Sequence, residues 1–136
     1  MKSIFPDSML SSSTGGELTM EVVAQKFDYF FSQLHLAHLQ TSSVAEHEAL
    51  NLWQDMPTDK DEFIEKLSGY TGRKLMEYTF LPIRGNVVSS SIVRELKDFA
   101  QQLKSYATTN GYDDIANMAD TLSGKAAKVL FLLTLS

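Results

Sequence analysis

The sequence predicts an all-α fold: a four-helix bundle with a long crossover between its second and third helices. Three observations carry this expectation. Apolar residues recur at helical spacing over several long stretches. Capping and stop residues fall between those stretches. A segment punctuated by Gly72, Pro82 and Gly85 separates the second helical stretch from the third.

At 136 residues the chain fits one domain with a sizeable core. Residues 1–16 read as a flexible N-terminal tail, because Ser11-Ser12-Ser13-Thr14-Gly15-Gly16 has linker composition. Residues 17–136 read as the bundle. The first helix is expected from about Glu17 to Gln40, capped by Thr14 or Gly16. Met20, Val23, Phe27, Phe30, Phe31, Leu34 and His38 form one stripe centred on Phe27. His38 lies on that stripe, so it is expected inside the subunit's own core. His35 lies roughly 80° from the centre at ~100° per residue, nearer a surface or an interface.

Thr41-Ser42-Ser43 is the turn. Ser42 or Ser43 can cap the second helix, with Glu46 completing a capping box after Ser43. That helix is expected over 43–69. Pro57 should kink or break it, with Thr58 or Asp59 restarting it, because proline lacks an N–H and clashes with the preceding turn. Residues 70–88 should travel the bundle's length, pinned to the core by Tyr78, Phe80, Leu81 and Ile83, with room for a short helix near Arg73–Tyr78. The third helix should span about 90–109, with Ile92, Leu96, Phe99, Leu103 and Tyr106 inward. Asn110-Gly111 is a stop, and the fourth helix should run over 113–135. Its end, Val129 to Leu133, is apolar on every face, more than one core can cover. That pattern predicts an interface and a homo-oligomer built on a two-fold dimer.

Composition excludes several function classes. The net charge is −5 and neither terminus carries a basic cluster, which argues against nucleic-acid binding. With no cysteine there are no disulfides, thiolate metal sites or thiol nucleophiles. The first residues carry no apolar stretch of the signal-peptide kind. The longest apolar run, Val129 to Leu135, is broken by Thr134 and falls short of the ~20 residues a membrane helix needs. A cytoplasmic protein without membrane association is expected. Gly69-Tyr70-Thr71-Gly72-Arg73-Lys74 lacks the spacing of a phosphate-binding loop. There is no nucleophile elbow and no Glu-x-x-His motif of the intra-bundle di-iron kind.

One constellation remains. His35, His38 and His47 lie within 13 residues, followed by Asp59, Asp61, Glu62 and Glu65. Taken singly, each histidine reads as packing, capping a helix or facing water, and Asp61 with Glu65 as a solvated face. Jointly they read as metal ligands. Neutral imidazole is a common transition-metal donor, and Asp61 and Glu65, at i and i+4, share a helix face. On a continuous helix His47 and Asp61 would stand ~21 Å apart at ~1.5 Å per residue. A shared site therefore needs a second subunit, with the second helix antiparallel to its mate.

The stretch His35-Leu36-Ala37-His38-Leu39-Gln40-Thr41-Ser42-Ser43-Val44-Ala45-Glu46-His47-Glu48-Ala49-Leu50, followed by Asp61-Glu62-Phe63-Ile64-Glu65, resembles the Dps-like branch of the ferritin superfamily. It resembles more closely the small Dps-like proteins of unknown function encoded by tailed phages, as do Asp114 to Asp120 and Leu130 to Leu135. The resemblance covers about residues 17–136 and implies a ferritin-like bundle. It further implies an inter-subunit ferroxidase site for iron, with His35 and His47 as the histidines and Asp61 and Glu65 as the carboxylates. His38 and Glu62 are additional candidate ligands. The histidine-to-aspartate spacing is one residue shorter than in Dps proteins and contains Pro57. Leu36 stands where they usually carry tryptophan, and His38 has no counterpart.

Two functions follow as expectations. One is a Dps-like protein that binds iron, or another divalent metal, and oxidises it. The other is a phage helical-bundle protein, structural or host-interacting, that kept the fold and lost the chemistry. The first belongs in the cytoplasm, a host's if phage-encoded; the second leaves room for the virion.

Overall fold

The structure is a computed structural model that describes residues 18–135. The tail assigned to residues 1–16, with its capping candidates Thr14 and Gly16, lies outside the described residues. Helix α1 spans Met20–Gln40, α2 Val44–Leu50, α3 Met56–Thr71, α4 Ser89–Asn110 and α5 Asp113–Leu133, with a 3₁₀ turn over Asn51–Trp53 between α2 and α3. No strand occurs among the described residues.

Local chemistry explains most of these boundaries. Thr19 caps α1, its hydroxyl accepting the Val22 N–H at 3.1 Å. Gly72 and Gly111 close α3 and α4 at φ 70° and 75°, a left-handed conformation that side chains resist. The second helix departs from expectation: it is two helices. Pro57 sits in the first turn of α3, where a missing N–H costs nothing, so the interruption falls upstream, over residues 51–55. The helix restarts at Met56 rather than at Thr58 or Asp59, and it continues through Gly69 to Thr71.

Helix α1 packs on α3 and α4, and α5 packs on α4, α3 and α2, leaving α1 and α5 across the diagonal. Phe27 joins three helices: its ring lies 5.1 Å from Phe63 of α3 and 5.5 Å from Phe99 of α4. The pairing of α4 with α5 is the most extensive. Along it Ala100, Ala107, Ala119 and Ala126 are fully buried, and such small side chains let two helices approach closely. Tyr70 stacks on Tyr112 at 4.5 Å, tying the end of α3 to the start of α5. At the opposite end Trp53 is buried beside the α2–α3 break, with the Lys125 ammonium 4.8 Å from its ring centre. On α5 one side is covered, with Val129 buried, while Phe131 projects into solvent. No helix among the described residues is long and apolar enough to cross a membrane.

Residues 72–88 are irregular throughout, so the stretch Arg73–Tyr78 holds no short helix. The segment lies along α1. The Met76 N–H donates to Glu21 Oε2, the Gln25 amide donates to the Thr79 carbonyl, and Gln33 both donates to the Arg84 carbonyl and accepts its N–H. Tyr78 is held by its hydroxyl, which donates to Asp28, and Lys60 of α3 joins both: its ammonium lies 2.6 Å from Asp28 Oδ1 and 2.9 Å from the Tyr78 oxygen. The apolar residues do less than expected. Leu81 packs on the core, but Phe80 and Ile83 point outward. Polar side chains of α1 fix the segment, and this is why Gln25 and Gln33 are buried.

Gln33→Ala removes two hydrogen bonds at once and strands both backbone groups of Arg84. The expected loss is about 2 kcal/mol of stability, read as a lower urea midpoint, with faster hydrogen exchange at the Arg84 amide. An unchanged midpoint and unchanged exchange would contradict this anchoring.

Candidate functional site

The histidines gather where α1 meets α2. Thr41 ends α1, and its hydroxyl accepts the Ser43 N–H at 3.1 Å. Ser43 then caps α2 by accepting the Glu46 N–H at 3.2 Å, the forward half of the anticipated capping box. This tight corner folds His47 back against the last turns of α1.

The rings form a ladder. Phe31 lies 5.4 Å from His35 at 12°, His35 lies 6.2 Å from His38 at 19°, and His38 lies 3.9 Å from His47 at 19°. Both ring nitrogens of His38 and Nδ1 of His35 are enclosed without a protein hydrogen-bond partner. Burial holds His38 below the ordinary imidazole pKa, and His47 and then His35 push it the same way, because neighbouring positive charge would oppose its own. The expected contrast between a core His38 and a peripheral His35 does not occur: both are half-buried. His38 stands at the edge of the apolar stripe, where α2 closes over it with another imidazole rather than with core side chains.

The carboxylates lie elsewhere. Asp61 and Glu65 are exposed on α3. Glu62 lines a cleft of about 300 Å³ between α3 and α5, together with Asp55, Asp59 and Lys125. There burial raises the Asp59 pKa, Lys125 opposes the rise, and Asp55 and Glu62 add to it. Because the 3₁₀ turn interrupts the helix between His47 and Asp61, the continuous-helix spacing does not describe their separation. Among the described residues of one chain, no group of three or more His, Asp or Glu side chains is arranged to hold a metal ion. The donor types nevertheless suit one, since imidazole nitrogens lacking a protein partner are what a d-block cation takes up. His47 also borders an open cavity of about 330 Å³ with Thr41, Ser43, Glu48 and Asn51.

Sequence reasoning missed three buried or half-buried polar features of α1. Lys26 is 1% exposed, its ammonium 5.2 Å from the Phe99 ring centre, and burial lowers its pKa to about 8. Tyr29 is pushed up to about 12 by burial and then by the nearby Glu95 carboxylate, with Arg84 acting the other way. Glu95 is itself raised by burial. The Asp28–Lys60–Tyr78 network is the third. Periodicity alone treats Gln25, Lys26 and Tyr29 as lying away from the stripe. Residues 72–88, laid over that face, take up the Gln25 amide, while the Lys26 ammonium is covered by the Phe99 ring of α4.

No protein-family model, curated protein or solved structure matches the chain.

Proposed function

We propose that the chain is a ferritin-like bundle of the Dps-like kind, with residues 72–88 as its crossover, that binds iron or another divalent metal between subunits. The ligands in this reading are His35 and His47 of one chain with Asp61 and Glu65 of its mate, and His38 and Glu62 as further donors. The observation that carries it is the histidine corner: three imidazoles in one stack, with ring nitrogens that no protein group satisfies. In this reading a second chain completes the ligand set, which the described residues of one chain do not assemble. Iron enters as substrate. Each Fe²⁺ gives one electron to dioxygen or a peroxide, and the carboxylates favour the more highly charged Fe³⁺ product. The α1–α2 corner presents the imidazoles, and the i, i+4 spacing presents the carboxylates together.

The test uses protein without a histidine tag, loaded with Fe²⁺ under nitrogen and freed of excess metal. Elemental analysis is expected to find iron bound to a homo-oligomer. His47→Ala and Glu65→Ala should each lose most of that iron and bring oxidation in air down to the background rate. A metal-free monomer would sink the reading.

A second reading is then the better one: a helical interaction or structural protein, as the resemblance to phage proteins suggests, without metal chemistry. It is favoured by the stacking of His47 on His38 at 3.9 Å, which occupies a proposed ligand with another imidazole. The short spacing around Pro57 and the leucine at Leu36 also fit it.

A further inference from the structure

We infer that residues 74–84 are a strap that opens as one unit while the helices stay folded, with the Asp28–Lys60–Tyr78 contact as its latch. None of these residues is among the metal ligands proposed above, so the strap and the metal reading stand or fall separately.

What holds these residues differs in kind from what holds the helices. Among the described residues, no backbone group of 74–84 pairs with another backbone group. None of the residues 74–84 is buried, and only Tyr78 and Leu81 are half-buried. Arg73, just before them, is still tied to α3, its carbonyl accepting the Ser68 hydroxyl. Gly85, just after them, has open space where a side chain would stand, so the chain can turn there without a clash.

Side chains supply the attachment. On α1, Glu21 accepts the Met76 N–H at 2.9 Å and Gln25 donates to the Thr79 carbonyl at 2.6 Å. Asp28 accepts the Tyr78 hydroxyl, and Gln33 holds both backbone groups of Arg84, at 2.7 and 3.0 Å. Each such bond contributes little net, because water offers the same groups partners once the strap lifts. Ordering every residue of the strap costs conformational entropy, which these bonds offset only together. Losing one therefore weakens the hold on the rest.

Tyr78 lies between the outer attachments and ties three elements. Its hydroxyl joins a carboxylate of α1 to the Lys60 ammonium of α3, and its ring centre lies 5.5 Å from that ammonium. Bonds to charged groups are stronger than neutral ones. By contrast, the middle of α1 is a continuous helical ladder around the buried Phe27 and Phe30, and its amides open only when the bundle does. The open strap leaves Gln25 and Gln33 without their partners, so the bundle has two native forms that differ at this face of α1.

The experiment is amide hydrogen exchange of the whole chain, followed by NMR in urea too dilute to unfold the helices. The Met76 and Arg84 amides report on the strap, because a side chain of α1 holds each. Both are expected to be protected to the same degree and to share one shallow dependence on urea. Amides in the middle of α1 should exchange at least about a hundredfold more slowly and depend on urea more steeply. Tyr78→Phe keeps the ring and removes the hydroxyl, and it should speed both strap amides by the same factor, about tenfold. Gln33→Ala should speed the Met76 amide at the far end, which Gln33 does not touch. Strap amides that match the slowest α1 amides in rate and urea dependence would overturn the inference, as would the absence of protection at either. So would a Tyr78→Phe variant in which only one of the two speeds up, or neither. The wild-type measurement alone decides whether the strap opens by itself, whatever becomes of the variants.

Discussion

Phe27→Ala is expected to cost 3–5 kcal/mol of folding stability, the range measured for removing a buried phenylalanine. Phe27 is 1% exposed and its ring touches rings from two other helices, Phe63 of α3 and Phe99 of α4. The alanine forfeits the transfer free energy of a whole benzyl group and leaves a void between three rigid helices, where collapse is difficult. It also ends two aromatic pairs worth about 0.5–1.5 kcal/mol each beyond their buried area. A domain of this size is stable by only about 5–15 kcal/mol, so the loss takes a large share of the total. Chemical denaturation followed by circular dichroism measures it. A loss below about 1 kcal/mol would mean that the joint between α1, α3 and α4 is not where the core's stability is concentrated.

Lys26→Met is expected to act in the other direction. Burial lowers the Lys26 pKa from 10.5 to about 8, and separately its ammonium lies 5.2 Å from the Phe99 ring centre. A lysine with a depressed folded pKa favours the unfolded state while protonated. The penalty is fully present below pH 8 and is relieved as pH rises towards the unfolded value, because the unfolded chain there binds more protons than the folded one. The full shift corresponds to about 3 kcal/mol. Methionine keeps the length and volume without the charge. At pH 7 the variant should be more stable by roughly 1–2 kcal/mol, the relieved burial set against the lost contact of the ammonium with Phe99, and its advantage should shrink between pH 8 and 10. Over that interval the wild type should gain stability while the variant stays level. Above pH 10 both should weaken, because folding opposes ionisation of Tyr29, whose pKa is raised to about 12. A destabilised variant at pH 7 would contradict the account.

How far the sequence discloses this molecule depends on which interaction decides each feature. Helices α1, α4 and α5 are legible because one-sided burial writes a 3.6-residue period, and because the turn at Thr41 and the pair Asn110-Gly111 mark the ends of α1 and α4 by local chemistry. Pro57 announces a break but not its location, since proline is tolerated in a first turn and the interruption moves upstream. The segment 72–88 reads as apolar residues reaching inward. In fact Gln25 and Gln33, polar and unremarked in the sequence, take its backbone, and Phe80 is left outside. Such pairings span some fifty residues and leave no periodic trace. At the candidate site, the corner that brings His35, His38 and His47 together is legible from the turn and cap. The half-burial of His38 is not, because it depends on which side chain of α2 closes over it. Among the described residues of one chain these imidazoles form no metal-holding group with Asp61 and Glu65, and only the proposed pairing of two chains would bring them together.

The joint between α2 and α3 carries its own optical reporter. Trp53 is the single tryptophan of the chain, enclosed at that joint with a lysine ammonium 4.8 Å from its ring centre. Indole emission shifts to the blue when water is excluded and responds to a charge held over the ring. Excited at wavelengths that the five tyrosines do not absorb, this protein fluoresces from one place, the interrupted helix beside α5. A spectrum recorded during unfolding, on acidification or while metal is added separates movement of that joint from movement of the rest of the bundle, with no label attached.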